Sequence, residues 1–170
     1  MTQGEFIALL KKKGYSHRIE GDKLIVTKGN NYGHVDLGGV EIIPSDIVFN
    51  NKGNVYLESL ELMPSGIEFN NWGYVFLTVL KYIDHEVNFN NGGNVYLTSL
   101  ETINPGVAFN NDGKIYFTAL KKIKPGVIFS NKGEIDLGDL WGVFDNWDGI
   151  IKGINNKNLL NMMIKRESFT

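Results

Sequence analysis

A unit of twenty residues, copied without insertion, constrains this chain more than any other feature. The stretch FNNGGNVYLTSL from Phe89 to Leu100 returns as FNNWGYVFLTVL from Phe69 to Leu80 and as FNNDGKIYFTAL from Phe109 to Leu120. The same frame fits Phe49 to Leu60 and, more loosely, Phe129 to Leu140. A period this regular means that every copy occupies the same cross-section, so that like residues stack in columns. Gly33, Gly53, Gly73, Gly93, Gly113 and Gly133 form one such column, and Val35, Val55, Val75, Val95, Ile115 and Ile135 form the next.

Within a copy, Val95 and Leu97 are two apart, as are Val107 and Phe109, and each pair reads as a short strand with both residues inward. Leu100 and Ile103 are spaced by three, which predicts an irregular or 3₁₀-like side between the strands. Pro44, Pro64, Pro105 and Pro125, usually with glycine, mark the corner that follows, and the glycine after Asn-Asn marks the other. The expected fold class is a mainly β repeat solenoid of about five to six coils, either leucine-rich-repeat-like or β-helix-like. Coils at a strand spacing of about 4.8 Å make a rod about 25 Å long.

One end of such a stack exposes open backbone and apolar side chains, and the flanking sequence supplies covers for it. Thr2 and Glu5 match a capping box ahead of Phe6, Leu9 and Leu10, and Gly14 follows three lysines, so a helix is expected over about residues 3–13. Gly21-Asp22 between Ile19 and Leu24 predicts a hairpin over 17–27. After Leu140, Trp141, Phe144 and Trp147 read as a plug, and Asn155-Asn156 as the start of a last helix. The chain is thus expected to be a single domain, 1–170, with an N-terminal cap over 1–28, the solenoid over 29–140 and a helical C-terminal cap over 141–170.

Val55 to Pro64, Val-x-Leu-x-x-Leu-x-x-Met-Pro, resembles the strand and following segment of leucine-rich repeats. The resemblance covers about residues 30–140 and departs from that family in the Asn-Asn-x-Gly corner, the phenylalanine column and Leu60. Those departures leave a compact β-solenoid open beside the arched form. The whole is similar to short repeat proteins of phages and bacteria. That likeness implies a phage-encoded binder or inhibitor of a host protein, host-defence machinery included, acting in the host cytoplasm.

Two polar column sets read as structure. Asn50, Asn70, Asn90 and Asn110, and beside them Asn51, Asn71, Asn91, Asn111 and Asn131, directly follow the inward phenylalanine and are expected to form internal amide ladders. Glu61, Lys81, Glu101 and Lys121 alternate in sign and are expected to pair up the stack.

Function is expected on the outward positions of the first strand. Tyr56, Phe76, Tyr96 and Tyr116 form an outward aromatic column, flanked by Glu58, Thr78, Thr98 and Thr118 on one side and Asn54, Tyr74, Asn94 and Lys114 on the other. Aromatic and β-branched residues stabilise pleated surfaces by themselves. A ribbon of rings rimmed by polar groups is also what protein-docking faces use. The expected site is therefore protein-binding and comprises Tyr56, Phe76, Tyr96, Tyr116, Tyr74, Thr78, Thr98 and Thr118, with self-association or carbohydrate binding as alternatives. Specificity is expected where copies differ, at Trp72, Tyr74, Glu58 and Lys114.

Other classes find little in the chain. The net charge of −2 offers no basic field for nucleic acid or an anionic membrane. Cysteine is absent, and His17, His34 and His85 stand in no metal-ligand spacing, so neither metal nor cofactor nor catalytic residue is expected. No apolar run reaches the roughly 18 residues of a membrane span, and the N-terminus does not read as a signal peptide, which makes a cytoplasmic protein the expectation.

Overall fold

The computed structural model describes residues 1–136, so the expected C-terminal cap over 141–170 lies outside the described residues. Helix α1 (Gln3–Lys12) starts at Thr2, whose hydroxyl accepts the Glu5 N–H while the Glu5 carboxylate accepts the Thr2 N–H. Gly14 ends it at φ +72°, and α1 turns Phe6 and Leu10 into the core. The hairpin follows as β1 (Ser16–Glu20) and β2 (Lys23–Lys28). Gly21 alone of its two turn residues has positive φ, at +60°, which is the signature of a type II′ turn.

From Val35 onward the chain is a β-solenoid. The first coil carries strands on two sides, Val35–Asp36 and Ile47–Phe49, and the full coils after it carry three short strands separated by three turns, as in Val55–Tyr56, Leu62–Met63 and Glu68–Phe69 with turns at 58–59, 65–66 and 72–73. The side expected to be irregular therefore also holds strands. Leu100, just past a turn at 98–99, leads through residue 101 into the strand Thr102–Ile103, so the three-residue spacing of Leu100 and Ile103 does not mark a 3₁₀ segment. Every solenoid strand pairs in parallel with its equivalent one copy away, for example Phe89 with Phe69 and Phe109, and Val95 with Val75 and Ile115.

The strands gather into a seven-stranded sheet, a six-stranded sheet and two two-stranded sheets on the third side. On that third side the pair at 62–63 and 82–83 is separate from the pair at 102–103 and 122–123. Across the gap the Asn104 side chain donates to the Ile83 carbonyl at 2.7 Å.

The N-terminal segment completes two of these sheets. β2 is itself a rung of the seven-stranded sheet, pairing in parallel through Leu24 with Ile47 and Val26 with Phe49, and β1 is the last strand on that edge. At the first strand of the six-stranded sheet, the Tyr15 hydroxyl accepts the Asp36 N–H at 3.1 Å and donates to the Asp36 carbonyl at 3.3 Å. One phenol thus stands in for a neighbouring strand.

Inside, Phe49, Phe69, Phe89, Phe109 and Phe129 stack with ring centroids 5.2, 5.0, 4.9 and 5.0 Å apart and essentially no exposure. Burying each such side chain contributes roughly 1.5–3 kcal/mol. The two asparagine columns separate. Asn51, Asn71, Asn91, Asn111 and Asn131 are buried, and Nδ2 of Asn91 bridges the Gly73 carbonyl at 3.2 Å and the Gly93 carbonyl at 2.7 Å, clamping one corner to the next. Asn71 and Asn51 do the same one and two coils earlier. The other column lies mostly in solvent, with Asn90 donating to Asn70 at 3.1 Å and Asn110 to Asn90 at 3.0 Å. Only the column whose amide reaches the carbonyls inside the corner is an internal ladder.

Glycine at that corner answers to space. A Cβ on Gly113 would lie 2.4 Å from the Gly93 carbonyl carbon, and one on Gly73 would lie 2.7 Å from that of Gly53. At the proline-marked corner the demand is conformational: Asp46, Gly66, Glu86, Gly106 and Gly126 all take positive φ. The charged column resolves into two exposed ion pairs, Lys81–Glu61 at 3.0 Å and Lys121–Glu101 at 2.7 Å, instead of one continuous ladder. Such exposed pairs contribute about 0–1 kcal/mol each.

Candidate docking face

The outward face of the six-stranded sheet carries the expected aromatic column. Inward Val75 and Leu77 alternate with outward Phe76, so the pleat alone places the ring outside. Tyr56, Phe76, Tyr96 and Tyr116 stack with centroids 4.9 Å apart at every step and planes within 4° of parallel. All four are half-buried, each covered on its faces by its neighbours and open along its edge. Tyr74 stands beside them and meets Phe76 and Tyr96 edge-on at 6.2 and 6.3 Å. The structure thus brings together Tyr56, Phe76, Tyr96, Tyr116 and Tyr74.

The flanking polar residues hold the rings. Asn54 Nδ2 donates to the Tyr56 hydroxyl at 2.8 Å, and Asn94 Nδ2 to the Tyr96 hydroxyl at 3.3 Å. The same amides accept, through Oδ1, the main-chain N–H of Tyr74 and Lys114 one coil later, both at 2.9 Å. In the first coil His34 takes that part, its Nδ1 accepting the Asn54 N–H at 2.8 Å. On the other flank the Thr98 hydroxyl donates to the Thr78 carbonyl at 3.0 Å and the Thr118 hydroxyl to the Thr98 carbonyl at 2.7 Å. Those two threonines tie coil to coil, so their outward contribution is mainly the methyl group. Lys114 pairs with Glu134 at 2.7 Å, and that carboxylate, by hydrogen bond and then by charge, raises the lysine pKa above its usual value.

The face is most apolar at the coil of Trp72, Tyr74 and Phe76, where Trp72 is 71 % exposed and Tyr74 44 % exposed. The Lys52 ammonium lies 5.7 Å from the Trp72 ring centre, a cation–π distance. Coils on either side replace these aromatics with Lys52 and Asn54 or with Gly92 and Asn94, and the first coil carries Tyr32 and His34 in the same two places.

Sequence reasoning missed a second apolar column. Ile42, Leu62 and Tyr82 are exposed on the third side, one residue before the inward Ile43, Met63 and Ile83. Their signal is the strand alternation that an irregular side would not have. Among the described residues no group of three or more His, Asp or Glu is placed to hold a metal, and no helix is long and apolar enough to cross a membrane.

The fold and this face define a repeat protein of the β-solenoid class with one aromatic-rich side. No family model, curated protein or solved structure matches the chain.

Proposed function

We propose that the protein is a non-enzymatic binding module that docks a partner protein on the Trp72–Tyr74–Phe76–Tyr96 region of its aromatic face. One observation carries this reading: Phe76 and Tyr96 on strands and Tyr74 edge-on to both stand outside instead of being buried, with a tryptophan 71 % exposed at the turn just before them. Tyrosine and tryptophan on a fixed backbone give contact area at low entropy cost, and a polar rim of Asn54, Asn94, Glu58 and Lys114 surrounds them. If the resemblance of the repeat unit to short phage and bacterial repeat proteins extends to role, the partner is a host protein, host-defence components included.

The test is affinity purification with the full chain as bait, followed by reconstitution of the captured protein from purified components. Replacing both Phe76 and Tyr96 by Ser should abolish the reconstituted complex while the solenoid still melts cooperatively. Undiminished binding by that variant overturns the reading, and retention of saccharide with no protein partner replaces it by a glycan-binding one.

A further inference from the structure

The seven-stranded sheet ends on β1, and the main-chain hydrogen bonds around it determine which groups that edge leaves open. In β2, the Leu24 N–H donates to the Asp46 carbonyl at 2.9 Å and the Val26 carbonyl accepts the Asn50 N–H at 2.8 Å. Those two residues therefore turn their main-chain groups toward the solenoid, which leaves Lys23 and Ile25 to face β1. Their register partners are Glu20 and Arg18. By the alternation of an antiparallel pair, the N–H and C=O groups of His17 and Ile19 point away from β2, off the edge of the sheet.

The side chains on this edge fit a particular neighbour. Ile19 is opposite Leu24, on the face of the sheet that lines the core, yet it is 57 % exposed, and among the described residues no strand lies beyond it. Arg18 and Glu20 share the other face, 2.5 Å apart in an exposed ion pair. Consider a second β1 laid antiparallel with Ile19 opposite Ile19. Open main-chain groups meet open main-chain groups, the two exposed isoleucines cover each other, and Arg18 of each strand falls opposite Glu20 of the other. The alternative centre, on Arg18, sets two guanidinium groups face to face. Parity of the open groups excludes the registers in between.

We propose that β1 is a self-complementary edge through which two copies of this chain associate about a two-fold axis at Ile19, joining their seven-stranded sheets into one. The free edge is regular over the four residues needed, since the single register shift in the hairpin lies between Ser16 and His17. Charged residues usually blunt a sheet edge. Here their order, basic then acidic around the central isoleucine, makes the edge complementary to its own copy. The surface is separate from the aromatic face, so the two readings stand or fall independently.

The experiment is sedimentation equilibrium of the full chain across a wide concentration range, on wild type and three variants. Wild type should show a monomer–dimer equilibrium. Ile19→Pro removes an outward N–H that the hairpin does not use, and Arg18→Glu sets like charges opposite each other; each should weaken the dimer by about tenfold or more. The double exchange Arg18→Glu with Glu20→Arg restores opposite charges across the axis and should restore the dimer. Thermal melting of each variant shows that the monomer remains folded. A wild-type chain that is monomeric throughout overturns the proposal, as does a dimer indifferent to Ile19→Pro or a charge exchange that fails to rescue.

Discussion

Two ladders of aromatic rings run up this solenoid at nearly the same pitch. The phenylalanine ladder has centroid steps of 4.9–5.2 Å and no contact with solvent. The outer ladder through Tyr56, Phe76, Tyr96 and Tyr116 steps by 4.9 Å and stands half in water. Equal pitch in such different surroundings shows that backbone pairing sets the spacing and that the rings accept it. What differs is the number of sides on which a ring meets protein. Inner rings are packed all round, so their loss leaves a cavity. Outer rings touch only their own column and its flanks, so their edges are free for another molecule.

The largest expected effect breaks this comparison open. Phe89→Ala should cost about 3–5 kcal/mol, whereas Tyr96→Ala, one face away, should cost about 1 kcal/mol. Urea unfolding of the pair measures the difference, and equal losses would mean that the outer ladder is core as well. Next comes the corner between the ladders. Gly113→Ala forces a Cβ into the preceding coil at 2.4 Å and should cost about 1–3 kcal/mol although φ there is ordinary. A smaller contrast sharpens the same inside–outside distinction among amides. Asn91→Ala takes the amide donor from the Gly93 carbonyl, while the Gly73 carbonyl keeps Asn71 Nδ2 and the Gly93 N–H, and should cost about 1–2 kcal/mol. Asn90→Ala, on the solvent side, should stay within about 0.5 kcal/mol. The smallest effect has the opposite sign. Glu86 holds φ +58° at a corner where Gly66 and Gly106 are glycine, so Glu86→Gly should gain up to about 1 kcal/mol, read as a higher melting temperature.

Much of the site was legible from the sequence. Strand alternation placed Tyr56, Phe76, Tyr96 and Tyr116 outward because a pleat has only two faces. Tyr74 and Trp72 stood out as departures from their columns. Less legible were the threonines: their hydroxyls at 98 and 118 bond to main-chain carbonyls one coil away, a contact that depends on stacking geometry. The exposed column of Ile42, Leu62 and Tyr82 was hidden because a turn at 58–59 disguised the strand on that side.

By itself, the sequence determined that this chain stacks. A strict period with apolar, glycine and asparagine columns admits only a solenoid, because one coil cannot bury its own apolar side chains and identical coils satisfy each other's backbone. Tertiary structure alone decided which of two adjacent asparagines is buried, why glycine is needed at one corner for space and at the other for φ, and that Tyr15 closes one sheet while β1 leaves the other open. These are differences of distance and direction between residues twenty or more positions apart, set only when the coils close on one another.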